Sequence, residues 1–108
     1  MKRIFLAAGA VAVIATGSMV AASSVTATEA GETLFKQHCT VCHPGGSNII
    51  NPQKTLQKKT REANNVKTAD DIVKLMRNPG PGMTKFDAKT ISDKDAKQIA
   101  NYILHEFK

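Results

Sequence analysis

Residues 39–43 read Cys39-Thr40-Val41-Cys42-His43 and contain both cysteines of the 108-residue chain. This C-x-x-C-H spacing is the attachment signature of c-type haem, in which two thiols add to the haem vinyl groups and the following histidine becomes an axial iron ligand. On one turn of helix, positions three apart place both sulfur atoms on the same side and leave the next side chain directed at the metal. The motif therefore predicts one haem c, attached covalently through Cys39 and Cys42, with His43 as its proximal ligand.

Three other uses of paired cysteines fit the surrounding sequence less well. A thioredoxin-like redox pair would need a strand–helix–strand context, and no alternating, strand-like run lies beside the motif. A zinc site would need two further ligands, but the remaining histidines, His38 and His105, are not spaced as a ligand pair. A structural disulfide within the motif would leave His43 unexplained. Haem attachment is the interpretation that uses all three residues.

Residues 1–30 have the pattern of a secretory signal peptide. Two basic residues precede an apolar, alanine-rich run over residues 4–15, and small residues then lead to candidate cleavage points after Ala27 and after Ala30. A retained membrane anchor is the alternative, since apolar and small residues over positions 4–22 are nearly long enough to span a bilayer. We expect cleavage, with export to the periplasm or an equivalent lumen.

Residues 31–108 remain after cleavage and are expected to form one small domain. Domains of this size rarely bury enough apolar surface to be stable alone, so a covalently held porphyrin would complete the core. Residues 31–108 hold 13 Lys and Arg against 8 Asp and Glu, a formal net charge of +5 that two haem propionates would reduce. Export and the scarcity of aromatic residues argue against nucleic acid as the partner. An acidic docking patch on a redox protein is the more natural match for this charge.

The segments beside the motif are predicted to be helical. A first helix is expected over residues 31–43, with Gly31 and Phe35 on a shared face because they lie four residues apart. A glycine-rich loop follows, and the apolar residues after it are candidates to line the haem pocket. They are Ile49, Ile50 and Pro52. The next helix is expected over residues 52–63, with its basic side chains mostly exposed. They are Lys54, Lys58, Lys59 and Arg61.

Two later helices are marked by N-terminal caps. Thr68-x-x-Asp71 opens a helix that must end at the Pro/Gly run of residues 78–82. Ser92-x-x-Asp95 opens the last helix, whose apolar residues recur on one face at helical spacing. They are Ala96, Ile99, Ala100, Ile103 and Phe107. This stripe must be buried, and the first helix is its expected partner.

The sixth iron ligand separates electron carriers from haem proteins that bind small molecules. The candidates are Met76, Met83 and His105. Met83 lies in an extended Pro/Gly loop, where no helix dictates the direction of its side chain. Met76 falls among apolar helical residues, and His105 lies beside the buried stripe rather than on it. We expect Met83 to be the ligand and its thioether to raise the reduction potential.

The whole of residues 31–108 resembles the class I monohaem cytochromes c. The resemblance is carried by Gly31-x-x-x-Phe35, the C-x-x-C-H motif, a Pro/Gly loop ending at Met83 with Phe86 close behind, and a last helix with Tyr102. Residues 45–56 are particularly similar to the cytochrome c6 group, in which a glycine–asparagine stretch leads into a lysine-rich helix. The resemblance implies an all-α fold, the small cytochrome c fold of four to five short helices wrapped around one haem. It also implies a carrier of single electrons between larger redox proteins, and not an enzyme.

Carried onto this chain, the resemblance supports the attachment cysteines and iron ligands already named. It also implies that Lys54 hydrogen-bonds a haem propionate and that Asn48 is a cofactor-binding residue. The chain departs from the group by placing Thr84 after Met83, where proline is usual, and by doubling Pro-Gly over residues 79–82. Both departures bear on the rigidity of the Met83 segment and so on the reduction potential.

Three functions are consistent with these patterns. An electron carrier, expected to be a monomer, fits the ligand pattern best. A haem sensor or a peroxidase-like enzyme would need a distal acid or base, and no histidine or arginine accompanies Met83 in its loop. An interaction module that uses the basic segment, with haem mainly as core, would keep its partner even without redox activity.

Overall fold

Four α-helices and one short 3-10 helix make up the folded part of the chain in a computed structural model, which describes residues 9–18 and 26–108. The α-helices are α1 (Ala27–His38), α2 (Lys58–Ala63), α3 (Ala69–Arg77) and α4 (Asp93–Glu106), and the 3-10 helix spans Pro44–Gly46. Neither described range contains a strand. The all-α prediction is therefore confirmed.

The predicted signal peptide lies largely outside the described residues, which omit positions 1–8 and 19–25. Residues 9–18 have no regular secondary structure. Within the two described ranges, no helix combines the length and the apolar character that a membrane crossing requires. Both candidate cleavage points fall within α1, whose first residue is Ala27. Cleavage after Ala27 or after Ala30 stays a prediction.

Helix α1 begins and ends earlier than the sequence predicts. Its start is fixed by a capping box, in which the Thr26 hydroxyl accepts a hydrogen bond from the Glu29 amide at 3.2 Å and the Glu29 carboxylate accepts one from the Thr26 amide at 2.9 Å. At its other end Cys39 is the C-cap, and the rest of the motif continues as turns. The prediction of one helix over residues 31–43 is thus wrong at both ends.

Helices α1 and α4 pack closely and form most of the core. A Cβ atom on Gly31 would lie 2.8 Å from the Tyr102 Cβ and would also overlap the carbonyl oxygen of Gln98, so only glycine allows this approach. The Phe35 ring packs against the rings of Tyr102 and Phe107, at centroid distances of 5.3 and 5.5 Å. The predicted apolar stripe of α4 is buried throughout. The expected pairing of the first and last helices is confirmed.

Both caps predicted from the sequence are present. The Thr68 hydroxyl accepts from the Asp71 amide at 3.1 Å, and the Asp71 carboxylate accepts from the Thr68 amide at 3.0 Å. The Ser92 hydroxyl caps α4 in the same way, without the return bond. Helix α3 packs against α4, buries Met76 and ends just before the Pro/Gly run at residues 78–82. Met76 is therefore a core residue, as predicted.

Helix α2 is shorter than predicted, and one of its basic side chains is buried. Residues 52–57 form turns and bends, and the helix begins only at Lys58. Arg61 is 5% exposed, which contradicts its predicted exposure. Its Nε donates to the Leu56 carbonyl at 2.7 Å and its Nη2 to the Phe107 carbonyl at 3.0 Å. The side chain is buried because these two carbonyl groups replace water as its hydrogen-bond partners.

Candidate haem site

The C-x-x-C-H residues form a tight turn directly after α1. The Cys39 carbonyl accepts hydrogen bonds from the amides of Cys42 at 3.1 Å and of His43 at 2.9 Å, so the motif stays compact without being helical. Neither cysteine forms a disulfide, and both are half-buried. Cys39 packs against the core, and this burial raises the pKa of its thiol to about 11. The turn thus presents two unpaired thiols beside the histidine that follows them.

The His43 ring is held in one tautomer by the loop that follows it. Its Nδ1 lies 2.8 Å from the carbonyl oxygen of Ser47, and because a carbonyl can only accept, Nδ1 carries the proton. Nε2 therefore keeps its lone pair for a metal. Ser47 directly follows the short 3-10 helix, whose last residue, Gly46, packs against Phe107. A Cβ atom on Gly46 would lie 2.7 Å from Cε1 of Phe107, so only glycine lets the loop approach that ring.

The next segment, residues 47–55, is called the Asn48 loop because that side chain shapes it. The Asn48 Oδ1 accepts from the amides of Ile50 at 3.1 Å and Asn51 at 2.9 Å, and its Nδ2 donates to the Lys54 carbonyl at 3.0 Å. The side chain of Lys54 is exposed. Asn48 thus organises the loop through its backbone, while the predicted contacts of Lys54 and Asn48 with a cofactor stay predictions.

The segment that follows α3, residues 78–85, is called the Met83 loop. Gly82 has a φ of +89°, and a Cβ atom there would lie 2.8 Å from Cγ2 of Ile50. The Asn48 loop is in turn joined to the motif, because the amide of Ile49 donates to the Cys42 carbonyl at 3.0 Å. The structure therefore brings the motif, the Asn48 loop and the Met83 loop together. Met83 itself is 36% exposed.

The other ligand candidates are placed as the sequence predicts. Met76 is 3% exposed and packs within the core, whereas His105 lies exposed near the end of α4. His38 packs its ring edge-on against Phe86, at a centroid distance of 6.2 Å. Neither Met76 nor His105 lies in the segments that meet at the motif.

Apolar side chains of the motif and of the Asn48 loop are exposed, whereas the apolar residues of helices α1, α3 and α4 are mostly buried. Val41, Ile49 and Ile50 have exposed fractions of 79%, 58% and 59%. Contiguous exposed apolar residues mark a surface that a ligand or partner covers. A covalently attached haem needs two cysteines for its thioether bonds, donor atoms for its iron and apolar side chains around it. This region supplies two thiols on one turn, an imidazole with a fixed tautomer, a thioether and exposed apolar residues. The residues present therefore fit haem c.

Sequence patterns did not identify Arg77, the last residue of α3. Its guanidinium bonds to the carbonyls of Phe86 and Ile91 on the far side of the Met83 loop. A basic residue at the C-terminus of a helix is ordinary, because it interacts favourably with the helix dipole. The signal available was only its position, immediately before the Pro/Gly run.

Known proteins are similar to this chain in both sequence and fold. Residues 26–103 match the model of the family described as cytochrome c oxidase, cbb3-type, subunit III. Cytochrome c6 from Cyanidium caldarium is 41% identical over 76 residues, which cover 70% of this chain and 68% of that protein. Cytochrome c6 from Pyropia tenera is 40% identical over 76 residues, with coverages of 70% and 88%.

Solved structures give the same relationship. OmcF, outer membrane cytochrome F from Geobacter sulfurreducens, is 44% identical and superposes with a TM-score of 0.71, covering 72% of this chain and 99% of that one. Cytochrome c6 from the diatom Phaeodactylum tricornutum is 31% identical with a TM-score of 0.66, covering 72% and 91%. The chain therefore belongs to this cytochrome family: it is a class I monohaem cytochrome c, similar to cytochrome c6, and carries one haem c attached through Cys39 and Cys42.

Proposed function

We propose that this haem-c electron carrier shuttles single electrons between larger redox proteins, with its iron held by His43 and Met83. The observation that carries the proposal is the contact between Gly82 and Ile50, which brings the Met83 loop against the loop that follows the motif. Bound haem supplies an iron that gains or loses one electron with little change of geometry when both axial positions are filled. Ligation by the Met83 thioether together with the His43 imidazole would favour the ferrous state and so raise the reduction potential.

The protein's own part is to hold ligands and to exclude water. His43 is oriented by the Ser47 carbonyl, which leaves Nε2 free as a ligand. The exposed isoleucines of the Asn48 loop provide apolar surface that lowers the local dielectric and disfavours the more charged oxidised state. Lys54 is proposed to bond a haem propionate, and Asn48 to position the backbone that carries Lys54.

The neighbourhood of Met83 supports a carrier over a sensor or an enzyme. Within residues 78–86 the sequence has neither histidine nor arginine to act as a distal acid or base. Arg77 lies at the start of this segment, but its guanidinium is occupied by carbonyl groups of the chain. The loop therefore lacks the histidine or arginine that a peroxidase-like mechanism would use as its distal acid or base.

The charge of the chain and its expected export bear on the redox partners and on the compartment where they meet. Residues 31–108 have a formal net charge of +5 before the haem propionates are counted, from 13 Lys and Arg against 8 Asp and Glu, and the lysines of the Asn48 loop and α2 are exposed. We propose donor and acceptor proteins with acidic docking patches, encountered in the periplasm or an equivalent lumen after removal of residues 1–30. Opposite charge on the partner raises the rate of encounter more than the affinity.

Replacement of the distal ligand tests the proposal. We expect Met83→Ala to lower the midpoint potential by on the order of 100 mV, because axial-ligand identity moves haem potentials over a range of about 0.8 V. The reduced variant should also bind carbon monoxide, which the wild type should not. Redox titration and optical spectra of the purified holoprotein provide both measurements.

Met76→Leu is the matched control, since it replaces the core methionine with a side chain of similar volume. It should leave the potential and the carbon monoxide response as they are in the wild type. A Met83→Ala protein with unchanged potential and unchanged spin state would contradict Met83 as the ligand.

A further inference from the structure

We propose that Arg77 is a positioning residue for Met83: its guanidinium holds the chain on the far side of the Met83 loop and thereby keeps the thioether bound to iron. The inference rests on the proposed ligation by His43 and Met83. It concerns a residue that touches neither the iron ligands nor the C-x-x-C-H motif, and it assigns Arg77 a role in ligand retention.

The Met83 loop has little internal support. Among the described backbone hydrogen bonds, only one joins two of its residues, from the Met83 amide to the Gly80 carbonyl, and it is long at 3.5 Å. Pro79 and Pro81 have no amide hydrogen to donate. Gly80 and Gly82 add conformational freedom that other residues would not have. The position of Met83 therefore depends on the two ends of the loop, together with the contact between Gly82 and Ile50.

Arg77 joins those two ends. It is the last residue of α3, directly before the loop, and its Nη1 donates to the Phe86 carbonyl at 3.1 Å and to the Ile91 carbonyl at 2.8 Å. Its Nη2 donates to the Asp93 carboxylate at 2.7 Å, at the start of α4. The only other bond across the base of the loop in the described residues runs from the Phe86 amide to the Met76 carbonyl at 2.9 Å.

The segment that receives Arg77 is also held by hydrogen bonds that do not involve the guanidinium. The Asp87 carboxylate accepts hydrogen bonds from the amides of Lys89 and Thr90 and from the Thr90 hydroxyl, at 2.9 to 3.0 Å. Ile91, which follows this turn, is 1% exposed. The carbonyls of Phe86 and Ile91 are thus presented by a turn that is anchored in the core.

These three hydrogen bonds require a guanidinium and not merely a positive charge. A guanidinium offers several donors in a fixed plane, so one side chain can bind two carbonyls and a carboxylate together, whereas an ammonium is a point charge on a flexible stem. The Arg77 side chain is 23% exposed but Asp93 is 90% exposed, so solvent screens the ion pair. The two bonds to carbonyls are therefore the part of the contact that holds the loop.

Arg61 provides a matched control within the same chain. It also binds two carbonyls, those of Leu56 and Phe107, but it joins α2 and the residue Leu56 before it to the end of α4. Its replacement removes the same kind of hydrogen bond without touching either end of the Met83 loop. A general loss of stability would follow from either substitution, but loss of the iron ligand should follow from only one.

The experiment compares Arg77→Gln, Arg61→Gln and Asp93→Asn as ferric holoproteins titrated with imidazole, which competes with Met83 for iron. We expect Arg77→Gln to bind imidazole about tenfold more tightly than the wild type, the equivalent of one to two net hydrogen bonds. Its far-red charge-transfer band, which reports iron bound to a thioether sulfur, should be weakened. Arg61→Gln and Asp93→Asn should stay within about twofold of the wild-type affinity for imidazole. If Arg77→Gln does not fold, Arg77→Lys should show the same effect in smaller measure.

Two results would overturn the inference. One is an equal gain in imidazole affinity for Arg77→Gln and Arg61→Gln, which would make Arg77 a general structural residue. The other is a wild-type affinity and an unchanged band in every Arg77 variant. Failure of the ligation itself looks different, because the wild type would then lack the charge-transfer band and bind imidazole as tightly as Met83→Ala does.

Discussion

Gly82 shows how a single residue allows two loops to meet beside the C-x-x-C-H motif. Its φ of +89° lies in the left-handed region, and its missing Cβ atom leaves room for Cγ2 of Ile50. Gly80, two residues earlier in the same loop, has no atom within 4 Å of the position that a Cβ would take and no positive φ. The two glycines therefore have different structural requirements, although they look alike in the sequence.

We expect Gly82→Ala to lower the free energy of unfolding by about 1–2 kcal/mol, the cost of placing an L-residue in the left-handed region. Movement of Ile50 would add to this loss. Gly80→Ala should be neutral or slightly stabilising, because it restricts only the unfolded chain. Urea unfolding of the two holoproteins compares them directly. Equal stability of the two variants would show that the contact with Ile50 does not constrain the loop.

The sequence is most informative where the chemistry is local. The C-x-x-C-H motif occupies consecutive positions, so its two cysteines and His43 could be assigned without knowledge of the fold. Arg61 was predicted to be exposed, yet it is buried against the carbonyl of Phe107, 46 residues away. Arg77 meets partners 14 and 16 residues away. No pattern within a short stretch of sequence distinguishes such arginines from exposed ones.

At the scale of helices, the difference between local and long-range contacts explains which helix boundaries could be predicted. The caps of α3 and α4 join residues three apart and were predicted correctly. The cap of α1 is equally local, but Thr26 and Glu29 lie in the segment assigned to the signal peptide and were left out of the fold. The predicted helix over residues 52–63 is shortened because side-chain oxygens of the Asn48 loop bind the backbone amides in turns.

The capping box of α3 predicts a dependence of stability on acid. Hydrogen bonds from the amides of Lys67 and Thr68, and then from the Thr68 hydroxyl, lower the pKa of Asp71 below its ordinary value of 3.8. The folded state therefore holds fewer protons than the unfolded chain in this range. The contribution of Asp71 is present above pH 3.8 and is lost as the pH falls through the lowered pKa.

We expect the thermal midpoint of the wild type to fall as the pH is lowered below about 4, and the fall to be smaller in Asp71→Asn. At neutral pH the variant should be less stable than the wild type, because an uncharged side chain at this position interacts less with the start of α3. Circular dichroism at a series of pH values measures both effects. A variant with the same acid dependence as the wild type would remove Asp71 from this explanation.

At the scale of the whole molecule, the paired helices and the two loops have different roles. Helices α1 and α4 pack through Gly31 and an aromatic cluster, and they fix the end of α1 from which the motif continues. The Asn48 loop and the Met83 loop meet beside the motif and carry the exposed apolar side chains. Stability thus comes mainly from the helix pair, and the properties of the iron are expected to depend mainly on the loops.

The net charge of the molecule predicts how its electron transfer responds to salt. Residues 31–108 hold 13 Lys and Arg against 8 Asp and Glu, a formal charge of +5 before the haem propionates are counted. A positively charged protein attracts an anionic oxidant at long range, and the screening length falls from about 30 Å at 0.01 M to about 8 Å at 0.15 M ionic strength. Oxidation of the ferrous holoprotein by hexacyanoferrate(III) should therefore slow several-fold over this range. Stopped-flow kinetics at increasing salt measures the effect. A cationic oxidant should show the opposite trend, and a rate for the anion that rises with salt would contradict the proposed docking by positive charge.

The iron ligation proposed for this cytochrome is tested most directly by the optical spectrum of the exported holoprotein, oxidised and then reduced, with carbon monoxide added to the reduced form. Ligation by His43 and Met83 predicts a low-spin spectrum, the weak far-red charge-transfer band of ferric iron bound to sulfur, and no response to carbon monoxide. A high-spin spectrum, or ready binding of carbon monoxide, would contradict the proposed ligation and would favour a haem sensor or an enzyme.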